Sequence, residues 1–404
     1  MTAESNNADQ PLSKSTVWLM AVTVGVVVAN IYYIQPLLAD IAKTFGITVT
    51  QAGAVAMLSQ AGTAFGMFIF VPLGDKFERR SLITTLLFFS FAALLVFATA
   101  QNILCLAIAS FCVGAFAANV HVVVPFAAHL ASPEERGRVV GTMVSGILFG
   151  VLLARTFSGS IGAWLGWRAV YGIAACAMII LATVVRKQLP VSKPELIISW
   201  PELMRSTLQL VRRHAVLRES AILGAMFFAA FSAFWTTLIF FLESPAYHYG
   251  SAVAGFFGLV GAVGAAGAPT FGHLAHKHGP RTTIRIALWL AMFSFILMGI
   301  AGRNFIGLII AVILMDLGIQ TGHVANQTRI YSIDPSARSR LNMVYMSCYF
   351  IGGGLGSYLG AICWHLAGWW GVCGFGIAVL CLAIVVESLY HRSAVHRAAA
   401  TPAA

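Results

Sequence analysis

The chain is built of apolar runs about 20 residues long, each ended by a short polar or basic connection. A run of that length crosses roughly 30 Å of hydrocarbon as a helix. In lipid every backbone N–H and C=O must be bonded inside the spanning structure, which leaves helices or closed barrels. These runs are continuous and lack the two-residue alternation of barrel strands. With 59% hydrophobic residues and 10% charged ones over 404 residues, the sequence reads as an all-α polytopic membrane protein.

Spans are expected at roughly 17–38, 50–71, 81–100, 104–126, 139–162 and 168–186, and again at roughly 219–241, 251–272, 283–301, 305–327, 341–364 and 369–388. The first run is longer than a signal-peptide core and lacks a small-residue cleavage site, so it is expected to be retained. The chain then divides into an N-terminal tail (1–16), a six-helix bundle (17–186), a central connection (187–218), a second six-helix bundle (219–388) and a C-terminal tail (389–404). In the connection, apolar Leu203, Met204, Leu208 and Val211 oppose basic residues, a pattern that fits a short helix in the headgroup region as well as a solvated linker.

The two sets of six are related. Residues 72–80 read PLGDKFERR and residues 272–281 read GHLAHKHGPR, each a basic turn between apolar runs. In the register that pairs His121 with His323, the series Pro133, Arg136, Arg138 falls on Pro335, Arg338, Arg340. Gly150 then falls on Gly352, and Gly166 and Trp167 fall on Gly368 and Trp369. A shared order of Pro, Arg, Gly and Trp marks an internal repeat.

A net charge of +11 invites a nucleic-acid reading, but the 25 Lys and Arg residues are not gathered on one segment. All but Lys43, Arg155, Arg168 and Arg303 fall in the tails and connections of one side, as expected where basic residues mark the cytoplasmic face. Both termini are therefore expected in the cytoplasm, with no nucleic-acid partner. The seven cysteines lie inside apolar runs without ligand-like spacing, so neither a disulfide framework nor a metal site is expected.

Six plus six spans, a long basic central loop, and a charged turn after the second span repeated after the eighth resemble the major facilitator superfamily, most closely its bacterial drug:proton antiporter-like efflux members. The superfamily signature Gly-x-Leu-Ala-Asp-Arg-x-Gly-Arg-Arg is met by Leu73, Gly74, Asp75, Lys76, Arg79 and Arg80, with Val71 and Glu78 at its glycines. In the second copy Gly272, Leu274, Ala275, Lys277, Gly279 and Arg281 match and His276 replaces the aspartate. The resemblance implies that Gly74, Asp75, Lys76, Arg79, Arg80, Gly272, Lys277, Gly279 and Arg281 latch the halves when the cytoplasmic side is closed. Physically, small residues permit the tight turn, an acid favours a helix N-terminus and the basic residues hold the turn on one side.

A charge within the bilayer costs at least about 2.5–3.5 kcal/mol, so a deep ionisable residue is a functional candidate. Asp316 stands mid-way along the tenth span and Arg155 inside the fifth. Asp316, Gln320, His323 and Gln327 recur at helical spacing and form one polar stripe. The resemblance places the first, fourth, seventh and tenth spans around a central cavity. Asp316 is the candidate proton carrier, with His323 and His121 as candidate relays, and Asn30, Tyr33, Arg155, Ser232, Trp235 and Gln320 are candidate cavity residues. The antiporters' fifth-span Gly-Pro is replaced here by Ala154 and Arg155, and Ser110 stands where their fourth-span Arg would be. Arg155 is accordingly read as the cavity's fixed positive charge. Gly146, Gly150, Gly352, Gly356 and Gly360 are expected at close helix contacts.

The expected function is alternating-access export of a small organic or drug-like molecule in exchange for protons, from the bacterial inner membrane and as a monomer. No cofactor is expected beyond the proton gradient, since no Gly-x-x-x-x-Gly-Lys-Ser/Thr loop occurs. Proton-coupled uptake of a sugar, amino acid or organic acid uses the same parts. A membrane-embedded enzyme would need ligand-spaced histidines, which are absent here.

Overall fold

The computed structural model describes residues 13–192, 200–334 and 337–400, apart from the side chains of Asp75, Trp200, 268–278 and 393–400. Every regular element among them is a helix. The first half runs α1 (Lys14–Tyr32), α2 (Ile34–Phe45), α3 (Val49–Lys76), α4 (Arg79–Thr99), α5 (Ile103–Ala117), α6 (Val120–Leu130), α7 (Arg136–Leu165) and α8 (Trp167–Gln188). An intervening helix α9 (Trp200–Arg213) is followed by α10 (Ala215–Glu243), α11 (Ser251–His278), α12 (Pro280–Ala301), α13 (Phe305–Tyr331) and α14 (Arg338–Ala400).

These helices make twelve spans in two halves of six. The first span is α1 and α2 together, and the fourth is α5 and α6. α14 carries the last two spans, separated where Ala367 and Gly368 leave the helical region. Sequence reading placed the first span at roughly 17–38, whereas apolar helix continues to Phe45. It also placed Ala215 in the connection, whereas α10 already begins there.

Chain ends of helices follow the repeat. Asn102 accepts from the Cys105 amide at 2.9 Å to cap α5, and Asn304 accepts from Ile306 and Gly307 at 3.0 and 3.2 Å to cap α13. Gly166 and Gly368 both turn the chain at positive φ, 81° and 57°, where a side chain would be strained. Each positions the tryptophan that follows it: Trp167 donates to Thr44 Oγ1 and Trp369 to the Met298 carbonyl, both at 3.0 Å.

Packing repeats as well. α1 lies on α7, α3 on α5 and α4 on α5, while α10 lies on α14, α11 on α13 and α12 on α13. Glycines bring the first of these pairs together: Gly146 and Gly150 meet Ala21 and Gly25, and Gly352, Gly356 and Gly360 meet Ala225, Ala229 and Ala233. A wide apolar face including Leu148, Phe149 and Leu153 on α7 stays exposed, as a lipid-facing surface must. In contrast, α10 is buried along most of its length and forms the middle of the molecule.

The halves meet along two crossings, α7 with α11 and α3 with α14. On the side opposite the termini, α2 also packs on α10 and α11, and Lys43 pairs with Glu243 at 2.8 Å across the halves. On the terminal side, α6 packs on α1, α3, α4 and α7 of its own half, and α13 on α10, α11, α12 and α14 of its own. Among the described residues, the α2 contacts and the Lys43–Glu243 pair tie the halves together on the side away from the termini.

Candidate functional site

Where α7 crosses α11, small residues let the backbones touch. A side chain at Gly255 would meet the Arg155 carbonyl at 2.6 Å and Gly159 at 3.0 Å, and Thr156 Oγ1 donates to the Gly255 carbonyl at 3.1 Å. This contact aims Arg155 toward the centre, where it is only 3% exposed. Its Nε donates to Gln35 Oε1 at 2.7 Å. Its guanidinium lies 3.9 Å from the ring centre of Trp235, with Tyr32 at 5.0 Å and Phe231 at 5.4 Å. Three aromatic faces and an amide oxygen thereby hold a cation in a dry place.

Asp316 is equally buried, at 3% exposure, on the α13 face that meets α11. Glycine makes the room: a Cβ on Gly261 would stand 2.9 Å from Asp316 Oδ2 and 3.0 Å from the Trp235 indole. Arg155 and Asp316 interact electrostatically, yet they form no ion pair within 4 Å. Arg155 Nη2, Trp235 Nε1 and Asp316 Oδ2 are all buried without a hydrogen-bond partner among the described residues. Each such group costs roughly 1–3 kcal/mol, more where charged. Three at one point describe a site built for something other than stability.

The other candidates spread around this centre. Ser232 is fully buried, its Oγ unpartnered among the described residues. Asn30 directs Nδ2 at the Met178 sulfur, 3.5 Å away. Gln320 is half-buried one turn beyond Asp316. Tyr33, the cap residue between α1 and α2, packs its ring on Phe157 at 5.9 Å. Its neighbour Tyr32 reaches Arg155 instead. His323 shares a hydrogen bond of 3.0 Å with Tyr345 Oη, two turns from Asp316, and His121 faces Phe350 across the halves at 6.5 Å. Neither histidine joins the Arg155, Trp235 and Asp316 cluster.

At the first charged turn, Arg79 Nε donates to the Gly74 carbonyl at 3.1 Å and Arg80 Nη1 to the Leu189 carbonyl at 3.2 Å, both within the first half. Lys76 is exposed beside Phe77. Glu78 caps α4 by accepting from the Arg80 and Ser81 amides at 2.9 Å, and from Ser192 at 3.2 Å. Burial pushes its carboxyl up, but these bonds outweigh it and hold the group below its ordinary value. Gly279, at φ 84°, precedes α12. Arg281 pairs at 3.2 Å with Glu219, which also holds Arg329 at 2.7 Å. The side chains of Asp75 and Lys277, and Gly272 in the 268–278 stretch, lie outside the described residues.

Sequence reasoning missed Gln35, Tyr32, Phe231 and Gly261 at the centre, and Glu219 and Arg329 at the end of the second half. The amide of Gln35 inside an apolar run was the available signal. Glu219 is the first residue of the span expected at 219–241, directly after Arg218, where an acid at a boundary carries no signal of its own.

Twelve spans in two repeated halves, with opposite charges buried where the halves meet, define a membrane carrier of the secondary transporter class. The profile described as Major Facilitator Superfamily matches residues 20–357. The chain belongs to that superfamily. It is 39% identical over 375 residues, 93% of its length, to an Escherichia coli O157:H7 protein described as the uncharacterized transporter YgaY, covering 95% of that protein. It is 34% identical over 365 residues to a Streptomyces coelicolor protein described as "Probable transporter SCO4007", covering 90% of this chain and 85% of that one. Among solved structures, an inward-facing, occupied bacterial homologue of the human lysosomal transporter Spinster superposes with a TM-score of 0.77 at 14% identity, covering 96% of this chain and 97% of that one. A peptide transporter, POT, in complex with alafosfalin gives 0.75 at 14% identity, with the same coverage. These two likenesses concern the fold.

Proposed function

We propose that this carrier exports a small organic molecule in exchange for protons, and that Asp316 carries the exchanged proton. The observation behind this reading is a carboxylate buried at mid-span, facing an arginine of the other half without bonding to it. Such a group can be neutralised in two ways, by a proton or by a cationic part of a substrate. If both compete for Asp316, loading from one side and release to the other couples the two flows as the halves rock. Arg155 keeps the site net positive when Asp316 is protonated, which favours proton release once the site opens to the less acidic compartment, the cytoplasm in an exporter driven by proton entry.

On this reading the chain sits in the bacterial inner membrane with both termini cytoplasmic, works as a monomer and draws on the proton gradient alone. The basic connections on the terminal side support that orientation.

The test is accumulation of labelled amphipathic compounds, sugars and amino acids in cells lacking their main exporters, with wild type and Asp316→Asn compared, with and without uncoupler. Antiport predicts lower accumulation with wild type, returning to background with uncoupler or with Asp316→Asn. Raised accumulation that collapses under the same treatments would make the protein a symporter and end the export reading.

A further inference from the structure

We infer that the substrate is a small zwitterion, an amine and an acid on one apolar body, bound with its acid at Arg155 and its amine at Asp316. The inference rests on reading this region as the transport site. It follows from the kinds of polar atom left unpartnered there. Arg155 Nη2 is a buried donor on a guanidinium that lies 3.9 Å from the ring centre of Trp235. Asp316 Oδ2 is a buried acceptor beside Gly261, at the Cζ2 edge of the same indole. The two ends call for opposite chemistry. A ligand that satisfies both must present anionic or carbonyl oxygens at one end and N–H donors at the other.

Charge arithmetic narrows this further. A purely cationic ligand at Asp316 would sit beside a fixed guanidinium, and a purely anionic ligand at Arg155 beside a carboxylate; each gains one attraction and meets one repulsion. A zwitterion gains at both ends and carries no net charge into a dry site. The remaining surface is aromatic, from Tyr32, Phe231 and Trp235, with Tyr349 stacked on Phe228 one layer below at 4.0 Å. That surface suits an apolar side chain. Arg155 now lies on the Trp235 face, so binding replaces an internal cation–ring contact with a ligand contact and keeps the site closed until substrate arrives.

The geometry also explains why the two charges do not simply pair. Arg155 is tethered to Gln35 by its Nε and pressed on Trp235, while Asp316 is seated against Gly261 and Gly264. Each charge is held by its own neighbours, which fixes the two ends of the ligand independently. A direct ion pair would leave nothing for a substrate to neutralise.

Purified full-length protein in nanodiscs at neutral pH, without any gradient, provides the test. Ligand-induced thermal stabilisation would be read for two matched sets: phenylalanine, phenethylamine and 3-phenylpropanoate, and leucine, isoamylamine and 4-methylpentanoate. The expected result is stabilisation by the zwitterion of at least one set, with its two single-charge analogues about tenfold weaker or worse. Asp316→Asn should narrow the advantage of the zwitterion over the acid, and Arg155→Gln its advantage over the amine. A single-charge analogue that binds as well as its zwitterion, or no response to either zwitterion, overturns the inference. Because no gradient is involved, failure here leaves proton coupling standing, and loss of coupling in cells leaves this binding preference standing.

Discussion

The two crossings that join the halves are copies of one another, and they carry different chemistry. In the register that pairs His121 with His323, Gly255 corresponds to Gly53, Gly159 to Ala361 and Arg155 to Ser357. The contacts correspond too: a Cβ on Gly255 would meet the Arg155 carbonyl and Gly159, and one on Gly53 would meet the Ser357 carbonyl and Ala361. Yet Arg155 bonds to Gln35 of the first span, whereas Ser357 accepts a neutral hydrogen bond of 2.9 Å from Thr236 of the seventh. The same inversion occurs around Asp316, which corresponds to Gly114. At that pair Gly114 makes room for Ser59, and in the second half Gly261, the counterpart of Ser59, makes room for Asp316. A repeated scaffold has been charged on one flank only. The difference teaches that the repeat copies the backbone crossing but not the side chains it carries: the close approach of the helices needs small residues at both copies, while the buried charges stand at one.

The largest expected effect separates the flanks by their charge. Arg155→Ala should lower gradient-driven transport at least tenfold, because it leaves Asp316 buried opposite nothing, whereas Ser357→Ala, which loses one neutral bond worth about 1 kcal/mol, should keep more than about half. Transport assays on matched expression levels decide this, and equal losses would break the comparison.

Next is the exchange of the two positions. The double variant Arg155→Ser with Ser357→Arg keeps composition and net charge, but places the guanidinium beside Thr236 and Gly53 rather than on Trp235. It should not restore transport, and its melting temperature in detergent should fall below that of Arg155→Ser alone, since an unpaired buried charge costs several kcal/mol. Recovery of activity would mean that the flanks are interchangeable.

The shared backbone contact offers a sharper test. Gly53→Val and Gly255→Val should each destabilise the fold by about 1–3 kcal/mol through overpacking, with similar shifts in melting temperature. Only Gly255→Val, which pushes on the Arg155 backbone, should also change which ligands stabilise the protein. Smaller again is Lys43→Ala at the closed end: an exposed pair is worth roughly 0.2–1 kcal/mol, so cysteine accessibility on that side should rise no more than about fivefold. Last, Glu78 has a folded pKa below its unfolded value, so it stabilises above the unfolded value of about 4.3 and that contribution disappears as pH falls through the folded one. Glu78→Gln should therefore lower the melting temperature slightly at neutral pH and flatten its acid-side fall.

Much of this was legible beforehand because the bilayer is a demanding solvent. Run length and the need to bond every backbone group fixed helices and their number, the recurring Pro, Arg, Gly and Trp gave the repeat, and the cost of a charge in hydrocarbon singled out Arg155 and Asp316. Glycine spacing foretold the close contacts on α7 and α14. These are properties that each helix carries in its own residues.

What the sequence alone left undecided concerns contacts between helices distant in the chain. Periodicity puts Asn30 and Tyr33 on one face, but it does not say that Tyr33 packs on Phe157 while its neighbour Tyr32 reaches Arg155. Nothing local says that Gln35 receives Arg155, that Arg155 lies on the Trp235 ring, or that Glu219 gathers Arg281 and Arg329. Each depends on which small residues allow two backbones to approach and at what height they cross. Run length and the internal repeat determined that this chain spans the membrane in two related halves, with Arg155 and Asp316 inside spans; only packing decided that these two charges sit by the same indole without pairing, because their separation is set by helix crossings and not by any spacing along the chain.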